Sequence, residues 1–131
     1  VQDALVSSFA TGRTGNQMLA MARQKAIAQG LEPIIYTHAI GTHGHAAGTS
    51  IGLWDAQGGV PGQGDYPLYP NTAFSIELAA VAKVPEWGGQ TVRFPLEVDG
   101  FWDGSAFRWI AGRQKQLLLI PRGLADGHGP E

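Results

Sequence analysis

Two stretches, Ala73-Phe74-Ser75-Ile76-Glu77-Leu78-Ala79-Ala80 and Thr91-Val92-Arg93-Phe94-Pro95-Leu96-Glu97-Val98, decide the fold. Each alternates with a period of two, which is the side-chain period of a β-strand. Phe74, Ile76, Leu78 and Ala80 fall on one face of the first, with Ser75, Glu77 and Ala79 on the other. Val92, Phe94, Leu96 and Val98 alternate in the same way with Thr91, Arg93, Pro95 and Glu97. Between them Lys83 to Gly89 carries Pro85 and the Gly88-Gly89 pair, the composition of a wide hairpin loop, so the strands are expected to be antiparallel neighbours. A turn centred near Trp87 sets Glu77 and Glu97 opposite one another, because each lies 10 positions from it.

Upstream the period changes. Thr14 followed by Gln17 has capping-box spacing, Met18, Ala22 and Ala26 recur at helical intervals, and Gly30 stands where a left-handed C-terminal cap belongs. This predicts a helix from Thr14 to Gln29 with a Met/Ala stripe in the core. Val1 to Ala10 also reads as helix, and Pro33 to Thr37 as a short strand leading into a long glycine-rich loop from Gly41 to Gly64. Downstream, Gly100 to Trp102, Ala106 to Ile110 and Leu117 to Ile120 read as short closing strands, and residues 121–131 as a tail. The fold class is α+β, with helices packed on a mainly antiparallel sheet and residues 1–120 forming one domain without internal repeat.

Composition narrows the function. The 131 residues are 44% hydrophobic and 15% charged, which is globular rather than disordered, and a net charge of −2 without a Lys/Arg cluster gives no surface for nucleic acid or anionic membrane. No apolar run approaches the ~18 residues of a membrane span, so a soluble protein is expected, with the cytoplasm favoured. The absence of cysteine excludes a disulfide scaffold and any thiolate metal site. Val1 is not an initiator methionine and the start already reads as helix, so a longer protein is expected.

The polar faces of the two strands carry the chemistry. Like charges directly across a ladder are destabilising unless something neutralises them, and a shared divalent cation would neutralise Glu77 and Glu97. Three of the four histidines, His38, His43 and His45, lie in one short segment of Thr, Gly, Ala and Ile. The carboxylates of Glu77 and Glu97 and a ring nitrogen of His38 are expected to converge on one concave surface.

The segment His38-Ala39-Ile40-Gly41-Thr42-His43-Gly44-His45 resembles the His-x-Ile/Leu-Gly-x-x-x-His signature of the pita-bread metallopeptidases, the family of methionine aminopeptidase, aminopeptidase P and prolidase. Leu68-Tyr69-Pro70-Asn71-Thr72-Ala73-Phe74-Ser75-Ile76-Glu77 is similar to that family's Leu-x-x-Gly-Met-x-Phe/Leu-Ser/Thr-Ile/Val-Glu, and Leu96-Glu97-Val98-Asp99 resembles its Ile-Glu-Asp element. The resemblance runs in order along nearly the whole chain. It implies the C-terminal half of the pita-bread fold, in which His38, Glu77 and Glu97 are metal ligands, His45 stabilises the tetrahedral intermediate and Glu77 also accepts a proton. The implied reaction is hydrolysis of the N-terminal bond of a peptide or dipeptide, as by an Xaa-Pro peptidase, with water activated by two divalent ions of Mn, Co, Zn or Fe. The two remaining aspartate ligands belong to an N-terminal half outside this sequence, so the fragment alone is expected to hold metal weakly or not at all and to be inactive. Trp87, Arg93 and His43 are candidate substrate contacts.

Departures from the family pattern are specific. Ala46 follows the second histidine where the family has an acidic residue, Arg93 stands four before Glu97 where the family's arginine stands two before, and Ile34 occupies the place of a histidine found in proline-specific members. Two other readings remain: a non-catalytic binding domain of the same fold, and a cupin-like single-metal protein using His43 and His45, since alternate residues of a strand face one way. A bare sheet edge, left without its missing half, is expected to promote self-association as a homodimer.

Overall fold

The computed structural model describes residues 1–121, so the tail beyond Pro121 lies outside the described residues. The elements, in chain order, are α1 (Gln2–Val6), α2 (Gly15–Ala28), β1 (Glu32–Gly41), β2 (Gly44–Ile51), β3 (Thr72–Val84), β4 (Gln90–Trp102) and β5 (Phe107–Trp109). The strands make one antiparallel sheet in the order β2-β1-β3-β4-β5. The architecture is α+β.

Helix α2 has the boundaries its sequence encodes. The Thr14 hydroxyl accepts from the Gln17 N–H at 3.2 Å while the Gln17 side chain accepts from the Thr14 N–H at 3.0 Å, which satisfies two of the free donors at the helix start. At the other end Gly30 takes φ 76°, and the Leu31 and Gly30 N–H groups donate to Ala26 and Ile27, the paired bonds of a Schellman motif. Met18, Ala22 and Ala26 are fully buried, as the stripe predicts. Met18 and Ala22 pack with Leu5, Phe9 and Leu19 against Ile35, Phe74, Ile76 and Leu78, so both helices cover the apolar face of the sheet. Helix α1 ends at Val6 rather than Ala10 because Ser7 and Ser8 bond back to the carbonyls of Ala4 and Leu5, offering the backbone an alternative to continuing.

The β3–β4 hairpin has the expected register, with Glu77 opposite Glu97 and the connection at Pro85–Trp87 and Gly88-Gly89. Two expectations are corrected. The stretch from Gly41 is not a loop: β1 runs on to Gly41, turns through Thr42-His43 and returns as β2 to Ile51. Its small residues suit a strand laid closely over its neighbour, for a Cβ on Gly48 would stand 2.6 Å from that of Ala39 at the register shift between His38 and Ile40. Leu117 to Ile120 forms no strand. Those four apolar side chains are exposed and pair with no strand among the described residues.

Where β2 ends, the Gln57 side chain continues its ladder. Its amide accepts from the Ile35 N–H at 2.9 Å and donates to the Ile35 carbonyl at 2.8 Å, the pair of bonds a neighbouring strand residue would supply. Ile35 is fully buried, so these groups have no water to fall back on. Gln57→Ala is expected to cost about 3 kcal/mol, since each buried group left unpaired costs about 1–3 kcal/mol. A urea unfolding midpoint within error of the parent would contradict this.

Candidate functional site

The sheet face away from the helices carries the polar residues. Antiparallel pairing sets them in rows: Tyr36, Glu77 and Glu97 in one, and His38, Ser75 and Asp99 in the next. Ser50 faces His38 from β2, and His45 lies opposite Ile40. The alternation that buries Phe74, Ile76 and Leu78 therefore forces Ser75 and Glu77 outward, and it does the same for His38 beside Thr37 and Ala39.

His38 is the centre. Its residue is 7% exposed, and its Nε2 lies 2.7 Å from Glu77 Oε1. Its Nδ1 lies 3.1 Å from the backbone carbonyl of Ala39. A neutral imidazole has one N–H for these two acceptors. Carried on Nε2, that hydrogen is donated to Glu77; carried on Nδ1, it is donated to the Ala39 carbonyl and leaves the Nε2 lone pair beside the carboxylate, a pair of donors that a cation could share. The His45 ring packs on the other side of His38, with centroids 3.8 Å apart at 41°.

Glu97 lies across the ladder from Glu77 and lines a groove with it and Trp54, while its Oε1 accepts from the Ser75 hydroxyl at 3.0 Å. The three expected donors thus share one face, with His38 and Glu77 in contact. Glu97 is not drawn into the same cluster, and among the described residues no group of three or more His, Asp or Glu is arranged to hold a metal ion. The expected convergence is corrected to a His38–Glu77 pair with Glu97 alongside, turned toward Ser75.

The other candidates are placed apart. Arg93 stacks its guanidinium 4.3 Å over the Trp54 ring, four residues from Glu97 toward the hairpin tip and at the edge of the groove that Trp54 lines. Trp87 lies at that tip, 59% exposed and, at ~3.3 Å per residue, roughly 30 Å along the strand from Glu77. His43 sits in the turn before β2, so the strand alternation that would aim it with His45 does not apply. Of the aspartates outside the strands, Asp3 pairs with Arg113, and Asp65 is occupied by Asn16 and by the N–H of Gly62.

Three residues join the site without having been singled out. Ser75 and Tyr36 were available from alternation, each standing two positions from a named residue, Glu77 and His38 respectively. Trp54, whose ring packs edge-on to Tyr36 with centroids 5.6 Å apart, carries no local signal because a loop brings it there. Burial, and then the adjacent Glu77 charge, push the Tyr36 hydroxyl above the ordinary phenol value of 10.0. A raised folded value gives stability that is full below the unfolded value and lost as pH rises through the folded one. The stability difference between the parent and Tyr36→Phe is therefore expected to move against the parent above pH 10, and Glu77→Gln to bring the phenolate absorbance change to lower pH. An absorbance midpoint unmoved by Glu77→Gln would remove the Glu77 contribution.

No helix among the described residues is long and apolar enough to cross a membrane. No family model, no curated protein and no solved structure matches the chain.

Proposed function

We propose that this chain is the C-terminal half of a pita-bread metallopeptidase domain and that the complete protein is a metal-dependent aminopeptidase or dipeptidase. The observation that carries the reading is the 2.7 Å approach of His38 Nε2 to Glu77 Oε1, with Glu97 opposite Glu77 on the same uncovered face. The order of elements supports it as well: a helix, then a strand bearing the histidine, then two strands each bearing a glutamate.

The donor types of the His38–Glu77 pair, imidazole and carboxylate without thiolate, would suit Mn, Co, Fe or Zn once further ligands joined them, and the other ring nitrogen of a ligand histidine characteristically faces a carbonyl or carboxylate, as His38 Nδ1 faces the Ala39 carbonyl at 3.1 Å. When bound, a metal pair would supply an activated water and polarise the scissile carbonyl. The protein residues do the rest. His38 and Glu77 fix the ligand geometry, the Ser75 hydroxyl orients the Glu97 carboxylate, and Glu77 accepts a proton from the attacking water. His45, held against His38, stands at the mouth of the site to donate a hydrogen bond to the carbonyl oxygen of a peptide as it gains negative charge. Association with a segment supplying two aspartates completes the ligand set. The test is hydrolysis of short peptides, Xaa-Pro dipeptides included, by the complemented protein with Mn²⁺ or Co²⁺. Turnover that His38→Ala removes supports the reading, and binding of peptides without turnover would make this a non-catalytic domain instead.

A further inference from the structure

Beside the His38–His45 pair the sheet face opens into a cavity of about 680 Å³, within the ~300–1,000 Å³ range of small-molecule sites. Its lining includes the small-residue run of β2 up to Gly48, Tyr66 and Tyr69 from the segment before β3, and Tyr36 of β1. Tyr66 and Tyr69 are 59% and 61% exposed, although each has a large apolar ring that packing within the chain could cover. Among the described residues the lining contains no Lys, Arg, Asp or Glu; its polar groups are hydroxyls, the Gln63 amide and the two imidazoles.

We propose that this cavity is a specificity pocket for a neutral aromatic side chain on a peptide residue flanking the cleaved bond. The assignment of the ligand as a peptide rests on the peptidase reading; the choice of side chain rests on the cavity. A peptide carbonyl beside His45 places an adjacent side chain within reach of the tyrosines, because His45 itself lines the cavity. An aromatic ring there buries its faces against Tyr36, Tyr66 and Tyr69 in edge or offset contact. A lysine or glutamate side chain would lose hydration without gaining an opposite charge. Glycine would leave the cavity to water.

The experiment is calorimetric titration of the chain with N-acetyl-L-phenylalaninamide, N-acetylglycinamide and N-acetyl-L-lysinamide. The phenylalanine amide is expected to bind at least about tenfold more tightly than the other two. Tyr66→Ala and Tyr69→Ala, both at exposed side chains, are each expected to weaken it severalfold, and Ala47→Trp to fill the cavity and remove the preference. Equal affinity for the phenylalanine and glycine amides, or a preference untouched by Tyr66→Ala and Tyr69→Ala, would overturn the assignment. The two readings fail separately. A selective pocket in a complemented protein that hydrolyses nothing supports the cavity and sinks the peptidase, whereas hydrolysis indifferent to aromatic residues sinks the cavity alone.

Discussion

Glu97→Ala in the complete enzyme is expected to lower kcat by at least about 10³-fold, with little change in KM. Glu97 faces Glu77 across the β3–β4 ladder, where like charges directly opposite are destabilising unless something neutralises them. In the proposed site Glu97 and Glu77 would help to hold the metal ions, which would supply that neutralising charge and the activated water. Removing Glu97 disables the nucleophile itself rather than the grip on the peptide, so the loss appears in the chemical step. The fold should not suffer. The Glu97 residue is exposed, its one hydrogen bond is to Ser75, and the substitution removes a like-charge pair. A folded Glu97→Ala enzyme with near-normal kcat would take Glu97 out of the site. Arg93→Ala is the internal comparison, because its guanidinium is spent on Trp54 and its loss should leave kcat within a few-fold of the parent.

The second large effect is the difference between the chain alone and the complemented protein. The chain supplies three of the five donors the reading requires, and Glu97 is turned to Ser75 rather than gathered with His38 and Glu77. Metal-binding energy assists folding only when the donors assemble around the ion. The isolated chain with Mn²⁺ or Co²⁺ is therefore expected to show no turnover of short peptides above the uncatalysed rate, and addition of the aspartate-bearing half to restore it. The β2 edge, which pairs with no further strand among the described residues, also predicts that the isolated chain self-associates, visible as a concentration-dependent mass in solution. Efficient hydrolysis by the chain alone would mean the site is complete within these residues, and the split-domain account would fall.

The legible parts of the fold were those whose signal is local. The capping box at Thr14 and Gln17, the glycine at 30, and the two-residue alternation around Glu77 and Glu97 each fix their own geometry. They therefore gave the helix ends and the hairpin register correctly. The β1–β2 hairpin was not legible, because glycine and alanine are poor strand formers and the ladder is interrupted between His38 and Ile40, where Gly48 lies close over Ala39. Leu117 to Ile120 shows the opposite error. Its apolar run reads as strand, but a strand needs a neighbour and this run pairs with none among the described residues. Within the site, His38 and Glu77 were within reach of alternation plus resemblance. The turn of Glu97 toward Ser75, the capture of Arg93 by Trp54 and the tyrosine lining depend on contacts between segments distant in sequence.

Metal content of the complemented protein tests the central claim most directly. After exhaustive dialysis against metal-free buffer and reloading with Mn²⁺ or Co²⁺, elemental analysis is expected to find two ions per complete domain, falling in both Glu77→Gln and Glu97→Ala. One ion retained in either variant as in the parent would point to a single-metal site elsewhere in the protein, and no stoichiometric metal at all would contradict the account.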